Sequence, residues 1–145
     1  MNYTKHFTAE EMHASATATR LKVSNAGYPE VDARLKTLCE KILEPLRVAW
    51  GKPIVVTCGY RCATVNKAVG GAANSDHIYG NAADIRTTSD TVADNKKLFD
   101  LAVKMMNDGR LKDVKQIIDE YNYNWIHISY QDGRTQKRNQ VLHLK

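Results

Sequence analysis

Apolar residues recur at helical spacing through the first third of the chain. From Pro29 onwards, apolar positions advance mostly by three and four residues, which predicts an amphipathic helix with one buried face. Pro29 suits the first position of that helix, Pro45 should kink or restart it, and Gly51 with Pro53 should end it. The predicted buried face comprises Val31, Leu35, Leu38, Cys39, Ile42, Leu43 and Leu46.

Other helices are predicted from caps and shorter apolar patterns. Thr8 and Glu11 have the spacing of a capping box, which indicates a short helix from there through Met12. Residues 15–27 are small and polar, which favours a loop or a helical turn. The remaining predicted helices are one or two turns over 63–69 and a longer helix that begins after Ser89 or Thr91 and stops at 107–109.

Short β-branched and aromatic runs predict the strands. Asn122-Tyr123-Asn124 joins two of these runs and is expected to lie in a hairpin loop. Residues 72–80 and 131–139 are polar or small and are predicted to be loops. The predicted strands are 54–58, 82–86, 114–121, 125–130 and an edge strand at 141–144.

The order of these elements predicts the fold class. Helices come first and are followed by strands that one helix interrupts, which favours an α+β fold with helices on one face of a small, mainly antiparallel sheet. A chain of 145 residues is most simply a single domain, 1–145, with room for a substantial core.

The net charge and the hydropathy restrict the classes of partner. A formal charge of +5 favours anionic partners such as nucleic acid, a membrane surface or an anionic cell wall, although an ordinary solvated basic surface is the simpler explanation. No basic stripe interleaves with aromatic residues, so we expect no nucleic-acid binding. No apolar run approaches the roughly 18 residues of a spanning helix, and the first residues lack the apolar core of a secretory signal. We therefore expect a protein that is made in the cytoplasm and does not insert into membranes. We also expect a monomer.

Two histidines and an aspartate have the chemistry of a zinc site. His77 and Asp84 are seven residues apart, and Gly80 between them permits a sharp turn. His127 lies in a predicted strand, where Ile126 and Ile128 should point to the opposite face. Two imidazoles and a carboxylate leave the fourth position of a catalytic zinc ion for water. The same set suits non-haem iron, and each residue alone also fits a packing, capping or ion-pairing role.

Glu120 is the candidate general base beside such a metal. If residues 121–124 form the hairpin loop, Glu120 lies opposite Trp125 and on the same sheet face as His127. A loop one residue longer or shorter would reverse this arrangement, and an exposed glutamate at a strand end is the alternative.

Two further residues could contact a substrate. Arg61 follows the first strand in a Gly-Tyr-Arg turn, where its guanidinium could bind a carboxylate. Ser75 lies two residues before His77 and could bind substrate or orient the loop. The alternatives are a surface ion pair for Arg61 and an ordinary turn residue for Ser75.

The three cysteines leave several interpretations open. Cys39 falls on the apolar helical face and fits a small core residue. Cys58 and Cys62 flank the Gly-Tyr-Arg turn, and they could pack, form a disulfide or join a metal site.

Three segments carry a family resemblance. They read Cys-Gly-Tyr-Arg-Cys-x3-Asn-x2-Val-Gly-Gly from Cys58, Ser-x-His-x2-Gly-x-Ala-x-Asp-Ile from Ser75, and Trp-Ile-His-Ile-Ser from Trp125. Together they resemble the zinc D-alanyl-D-alanine carboxypeptidase family, in the short single-domain form common in phage and prophage proteins. The resemblance covers roughly Phe7 to Tyr130.

This resemblance implies the hedgehog and D-Ala-D-Ala peptidase-like fold and a metallopeptidase that cuts peptidoglycan stem peptides. It implies one Zn²⁺ on His77, Asp84 and His127, with Arg61 and Ser75 at the substrate. The bond would be that of a D-Ala-D-Ala carboxypeptidase or an L-Ala-D-Glu endopeptidase. A phage endolysin released by a holin would fit this chemistry, and a catalytically silent, zinc-stabilised wall or virion binding module is the alternative.

The chain departs from the family pattern at two places. Many members of the wider family have their catalytic glutamate three residues before the last histidine, where this chain has Asn124, so Glu120 would have to take that role. The turn usually reads Ser-Gly-Tyr-Arg-Ser, and both serine positions are cysteine here, at Cys58 and Cys62. A disulfide and a simple replacement of serine by cysteine both fit.

Overall fold

A five-stranded sheet forms the centre of the protein in a computed structural model that describes residues 1–145. In chain order the strands are β1 (Ile54–Cys58), β2 (Ala82–Thr87), β3 (Val114–Glu120), β4 (Trp125–Tyr130) and β5 (Gln140–Leu144). In space they lie in the order β1-β2-β4-β3-β5. All neighbours are antiparallel except β3 and β5, which are parallel. The predicted α+β fold with a mainly antiparallel sheet is confirmed, and the parallel edge pair makes the sheet mixed.

The edge strand was predicted, but its direction was not. The chain leaves β4, passes over residues 131–139 and returns on the far side of β3. Since β3 and β4 are antiparallel, a strand that reverses after β4 must run parallel to β3. The length of the 131–139 loop makes the parallel pairing possible, because a tight hairpin would have placed β5 directly beside β4 and could not have crossed β3.

Seven α-helices surround the sheet, and several are only one or two turns long. They are α1 (Ala9–His13), α2 (Ala16–Leu21), α3 (Pro29–Leu38), α4 (Glu44–Trp50), α5 (Ala63–Ala68), α6 (Asp76–Tyr79) and α7 (Val92–Asn107). The capping box is present at Thr8 and Glu11, and Thr91 caps α7. The prediction of a loop over 72–80 is wrong for its last part, because Ser75 caps the single turn of α6.

The predicted long helix is continuous in direction but changes its hydrogen bonding before Pro45. A π-helical turn, Cys39–Leu43, separates α3 from α4. Proline has no N–H and crowds the carbonyl one turn earlier, so a wider turn relieves the conflict without ending the helix. The apolar stripe survives, and all seven of its predicted members are buried.

The two faces of the sheet have different surroundings. One face packs on the helices through an apolar cluster that includes Ala83, Ile85, Ile117, Ile126 and Ile128. The intervening residues point to the other face because strand side chains alternate. Asp84 of β2 pairs with His127 of β4, so these two polar side chains are neighbours on this second face. None of the helices is both long and apolar enough to cross a membrane.

Truncation of a core residue should reveal how far stability depends on the helical stripe. Leu38 is completely buried, so Leu38→Ala should lower the free energy of unfolding by about 2–5 kcal/mol through lost burial and a residual cavity. Val48 is 64% exposed, and Val48→Ala should change it by less than about 0.5 kcal/mol. Urea unfolding would measure both, and equal losses would contradict the assignment of the buried face.

Candidate metal centre and its cleft

A cleft of about 570 Å³ opens on the polar face of the sheet. The strands β2, β3 and β4 form its floor, and the segment around α6 forms one wall. All six residues predicted to act in the site line this cleft: Arg61, Ser75, His77, Asp84, Glu120 and His127.

His77 is held in one orientation by the turn that follows β1. Its Nδ1 lies 2.6 Å from the carbonyl oxygen of Gly59, and its own carbonyl accepts the N–H of Arg61 at 3.0 Å. Since a carbonyl only accepts, Nδ1 must carry the proton, and Nε2 of a neutral ring then has a free lone pair. A hydrogen bond of this kind to the far ring nitrogen is how proteins orient histidine ligands of metals.

Asp84 receives both imidazoles on a single carboxylate oxygen. Its Oδ1 is 3.3 Å from Nε2 of His77 and 3.2 Å from Nδ1 of His127. Register explains this meeting, because Asp84 and His127 are direct partners on neighbouring strands while the turn of α6 brings His77 across from the wall. All three side chains are largely buried.

The arrangement requires positive charge between these groups. With Nδ1 of His77 committed to Gly59, its Nε2 lone pair faces a carboxylate oxygen, which is repulsive unless a proton or a metal ion lies between them. Burial lowers the pKa of His77, but the hydrogen bonds with Asp84 and Cys58 outweigh it and raise the pKa to about 10. Burial alone would raise the pKa of Asp84, but the hydrogen bonds from His127 and His77 outweigh burial and hold this pKa well below its usual range. A zinc ion in place of that proton would meet two ring nitrogens and a carboxylate oxygen, which are donors suited to it.

Cys58 lies beside this centre, on another side of His77. Ligand atoms of Cys58, His77 and Asp84 all lie within 4.8 Å of one another, so these residues form an alternative donor set. The Sγ atom of Cys58, however, is 3.7 Å from Nδ1 of His77, the nitrogen already bonded to Gly59, whereas Asp84 faces Nε2. The free lone pair of His77 is therefore the one on Nε2, which points towards Asp84 and away from Cys58. This favours the donor set of His77, Asp84 and His127 over the set that contains Cys58. Cys58 and Cys62 are both free thiols, so no disulfide joins them.

Glu120 ends β3 and pairs directly with Trp125, the first residue of β4, as the loop length predicted. The indole Nε1 of Trp125 donates a hydrogen bond to Oε2 of Glu120. Burial and the neighbouring Asp84 carboxylate raise the pKa of Glu120, against the opposing influence of His127 and the Trp125 bond. Asn124 is exposed and does not line the cleft, whereas Glu120 does line it. Glu120 therefore stays the candidate general base.

Arg61 and Ser75 form the end of the cleft next to His77. Nη2 of Arg61 donates to Oγ of Ser75 at 3.2 Å, and the same oxygen accepts the backbone N–H of His77. The Nε of Arg61 is buried and has no hydrogen-bond partner in the protein. The guanidinium is thus fixed in direction and still has an unused donor.

Sequence reasoning missed the residues that support this turn. The side-chain amide of Asn25 donates to the carbonyl of Tyr60, and its oxygen accepts the N–H of Cys62 at 2.8 Å. Gly59 lies so close to α1 that an added Cβ would be 2.3 Å from the carbonyl oxygen of Met12. The Gly-Tyr-Arg motif pointed to Gly59, but no local pattern connects it with Asn25.

The two histidines and one carboxylate that meet on the open face of the sheet match the donor set of zinc-dependent hydrolases. A family model described as Peptidase M15 matches residues 5–129, and the chain belongs to this family. A zinc D-Ala-D-Ala carboxypeptidase from Streptomyces albus G is 54% identical over 44 residues. That match covers 30% of this chain and 17% of the relative, which is too short to carry over the relative's bond specificity.

Family and donor set agree on the cofactor and on the reaction class. Zinc is the metal that both imply, as the sequence resemblance predicted. The chain is accordingly a member of a peptidase family with a donor set that suits zinc.

Substitutions can separate the two donor sets that share His77 and Asp84. We expect His127→Ala to weaken zinc binding more than about 100-fold, since loss of an outer partner alone typically costs 10–100-fold. Cys58→Ser should leave affinity within about threefold. Competition with a chromogenic chelator would measure both dissociation constants, and the opposite ranking would favour the set that contains Cys58.

Proposed function

We propose that this protein hydrolyses a peptide bond in peptidoglycan stem peptides, as a D-Ala-D-Ala carboxypeptidase or an L-Ala-D-Glu endopeptidase. The observation that carries the proposal is the convergence of His77, Asp84 and His127 with Glu120 and Arg61 in one cleft. Membership of the Peptidase M15 family and the match to a zinc D-Ala-D-Ala carboxypeptidase support it.

His77, Asp84 and His127 would hold the zinc ion. When bound, zinc supplies Lewis-acid chemistry that polarises a carbonyl and makes water more acidic. The protein's part is to hold both imidazoles aimed at the same point. The Gly59 carbonyl does so for His77, and the β2–β4 register does so for His127.

Glu120 would act as general base and then as general acid. It lies on the same sheet face as His127, and a raised pKa brings its carboxyl closer to neutral operating pH, where proton exchange is most efficient. It would accept a proton from the attacking water and return it to the leaving amine. The Trp125 hydrogen bond fixes one carboxylate oxygen, which leaves the other available for proton transfer.

Arg61 would bind the carboxylate of the substrate or stabilise the oxyanion that develops during attack. Its place in the cleft and its orientation by Ser75 support this role, because a guanidinium that is already oriented loses little entropy when a ligand oxygen binds. Ser75 would hold Arg61 in place through the 3.2 Å bond to Nη2. A substrate that ends in a carboxylate near the scissile bond fits this arrangement.

A positively charged surface would concentrate such an enzyme on an anionic cell wall. The formal charge of +5 supports action there, with the effect weakening as salt is added. The roles as an endolysin and as a protein released by a holin stay predictions, as does the monomeric state.

A digest of purified peptidoglycan tests the proposal. Zinc-loaded protein should release new stem-peptide fragments, which mass spectrometry would assign to one bond, and chelated protein should release none. Glu120→Gln should lower the rate by about 10²–10⁴-fold with zinc still bound, because the general base is removed.

Glu40→Gln is the matched control for that substitution. Glu40 is exposed and lies outside the cleft, so this variant should digest peptidoglycan at the wild-type rate. Cleavage that survives Glu120→Gln would remove the base assignment and keep the zinc peptidase. Zinc binding with no fragments from any wall type would contradict the peptidase and favour a silent binding module.

The acid side of the pH–rate profile should report the Glu120 carboxyl. Its base form must be ionised, and the Trp125 N–H stabilises that form, so Trp125→Phe should raise the pKa of Glu120 further. The acid limb of kcat/KM should then move to higher pH by up to about one unit, the size expected for one hydrogen bond to a charged group. Trp50→Phe, outside the cleft, should not move it. Equal profiles for all three proteins would count against Glu120 as the titrating base.

A further inference from the structure

A buried ion pair stands directly beside the metal centre. Asp76, the residue before His77, is only 8% exposed, and both of its carboxylate oxygens accept bonds from Nζ of Lys115, at 3.0 and 2.8 Å. Nη2 of Arg134 lies 3.5 Å from the same carboxylate. Two cations from separate parts of the chain thus converge on one side chain of α6.

Lys115 reaches this position because of an irregularity in β3. The pairing of β3 with β4 shifts register between Val114 and Gln116, so Lys115 occupies a bulge. In a regular strand, Lys115 would point away from the face that carries Gln116 and Ile118. A bulge redirects a side chain, and Lys115 does line the cleft together with these two residues.

The ion pair links the two halves of the metal centre. Asp76 starts the four-residue helix that carries His77, and Lys115 belongs to the strand that pairs with the strand of His127. So short a helix cannot hold its own direction by internal hydrogen bonds, and it needs anchors from neighbouring elements. The turn at Gly59 and Arg61 anchors it on one side, and Lys115 anchors it on the other.

Arg134 strengthens the second anchor from the outside. Its guanidinium carbon lies 3.5 Å from the ring centroid of Tyr79, the last residue of α6, and it also pairs with Asp132. Arg134 therefore contacts both ends of the short helix.

Stability alone is a weak reason for such a pair. The cost of removing two charges from water usually offsets their attraction, and apolar replacements of similar size are often as stable. Fixed geometry is a better explanation, since a bidentate pair defines the distance between the elements that carry it.

We propose that Asp76, held by Lys115 and Arg134, is a positioning residue that sets His77 against Asp84 and His127 and thereby sets the zinc affinity. The inference rests on the proposed zinc site. In this role Asp76 does not touch the metal or the substrate. The charge of Lys115 is neutralised by Asp76, so Lys115 is not assigned to substrate binding.

Zinc titration of the intact protein tests this role. Asp76→Asn and Lys115→Met should each raise the zinc dissociation constant by about 10–100-fold, the usual effect of losing a partner that orients a ligand. Lys115→Arg keeps a cation at the same place and should stay within about threefold of wild type. The melting temperature of the chelated protein, recorded for each variant, would reveal any purely structural effect.

Lys96→Met is the matched control. Lys96 pairs with Asp100 at 2.8 Å on the exposed surface of α7, so its loss should leave the zinc affinity unchanged. If Asp76→Asn does not fold, Lys115→Met decides the question, because Arg134 still faces Asp76 in that variant. Zinc affinities within twofold of wild type, with only a lower melting temperature, would overturn the proposal. The titration uses zinc alone, so absence of peptide cleavage would count against the proposed reaction and not against this role of Asp76.

Discussion

The meeting of two imidazoles on one oxygen of Asp84 is the constraint on which the site depends. The Gly59 carbonyl fixes the tautomer of His77, which leaves a lone pair aimed at a carboxylate. Such a contact is stable only with a positive charge between the two groups. The proposed metal binding rests on this concentration of donors. The shifted pKa values of His77 and Asp84 and the raised pKa of Glu120 follow from the same charges in a largely buried place.

The sheet brings these side chains together because one of its faces packs into the core and the other lines the cleft. Ile126 and Ile128 pack into the core on the helical side, and His127 between them points into the cleft. The ligand strand is therefore fixed by hydrophobic burial, which needs no help from the metal. His77 is different, because its helix has a single turn, and its position depends on polar anchors at Gly59 and, as we propose, Asp76.

Strong local signals explain what could be predicted. The stripe from Val31 to Leu46 is buried as expected, and the capping box at Thr8 is present. The hairpin loop length placed Glu120 opposite Trp125, since alternation along a strand fixes the face once the register is known. Elements of a single turn are harder to predict from sequence. The α6 turn was predicted as a loop because four residues give no periodic pattern.

By itself the sequence determined the class of fold, the candidate donor residues and the family resemblance, because these depend on residue type and on spacing within one element. Tertiary structure alone decided which groups meet. The bulge at Lys115, the contact of Gly59 with His77 and the parallel β5 arise between segments far apart in the chain. No local pattern encodes such contacts, because they follow from how whole elements pack. The same holds for Cys58 and Cys62, which remain separate thiols although their spacing permitted a bridge.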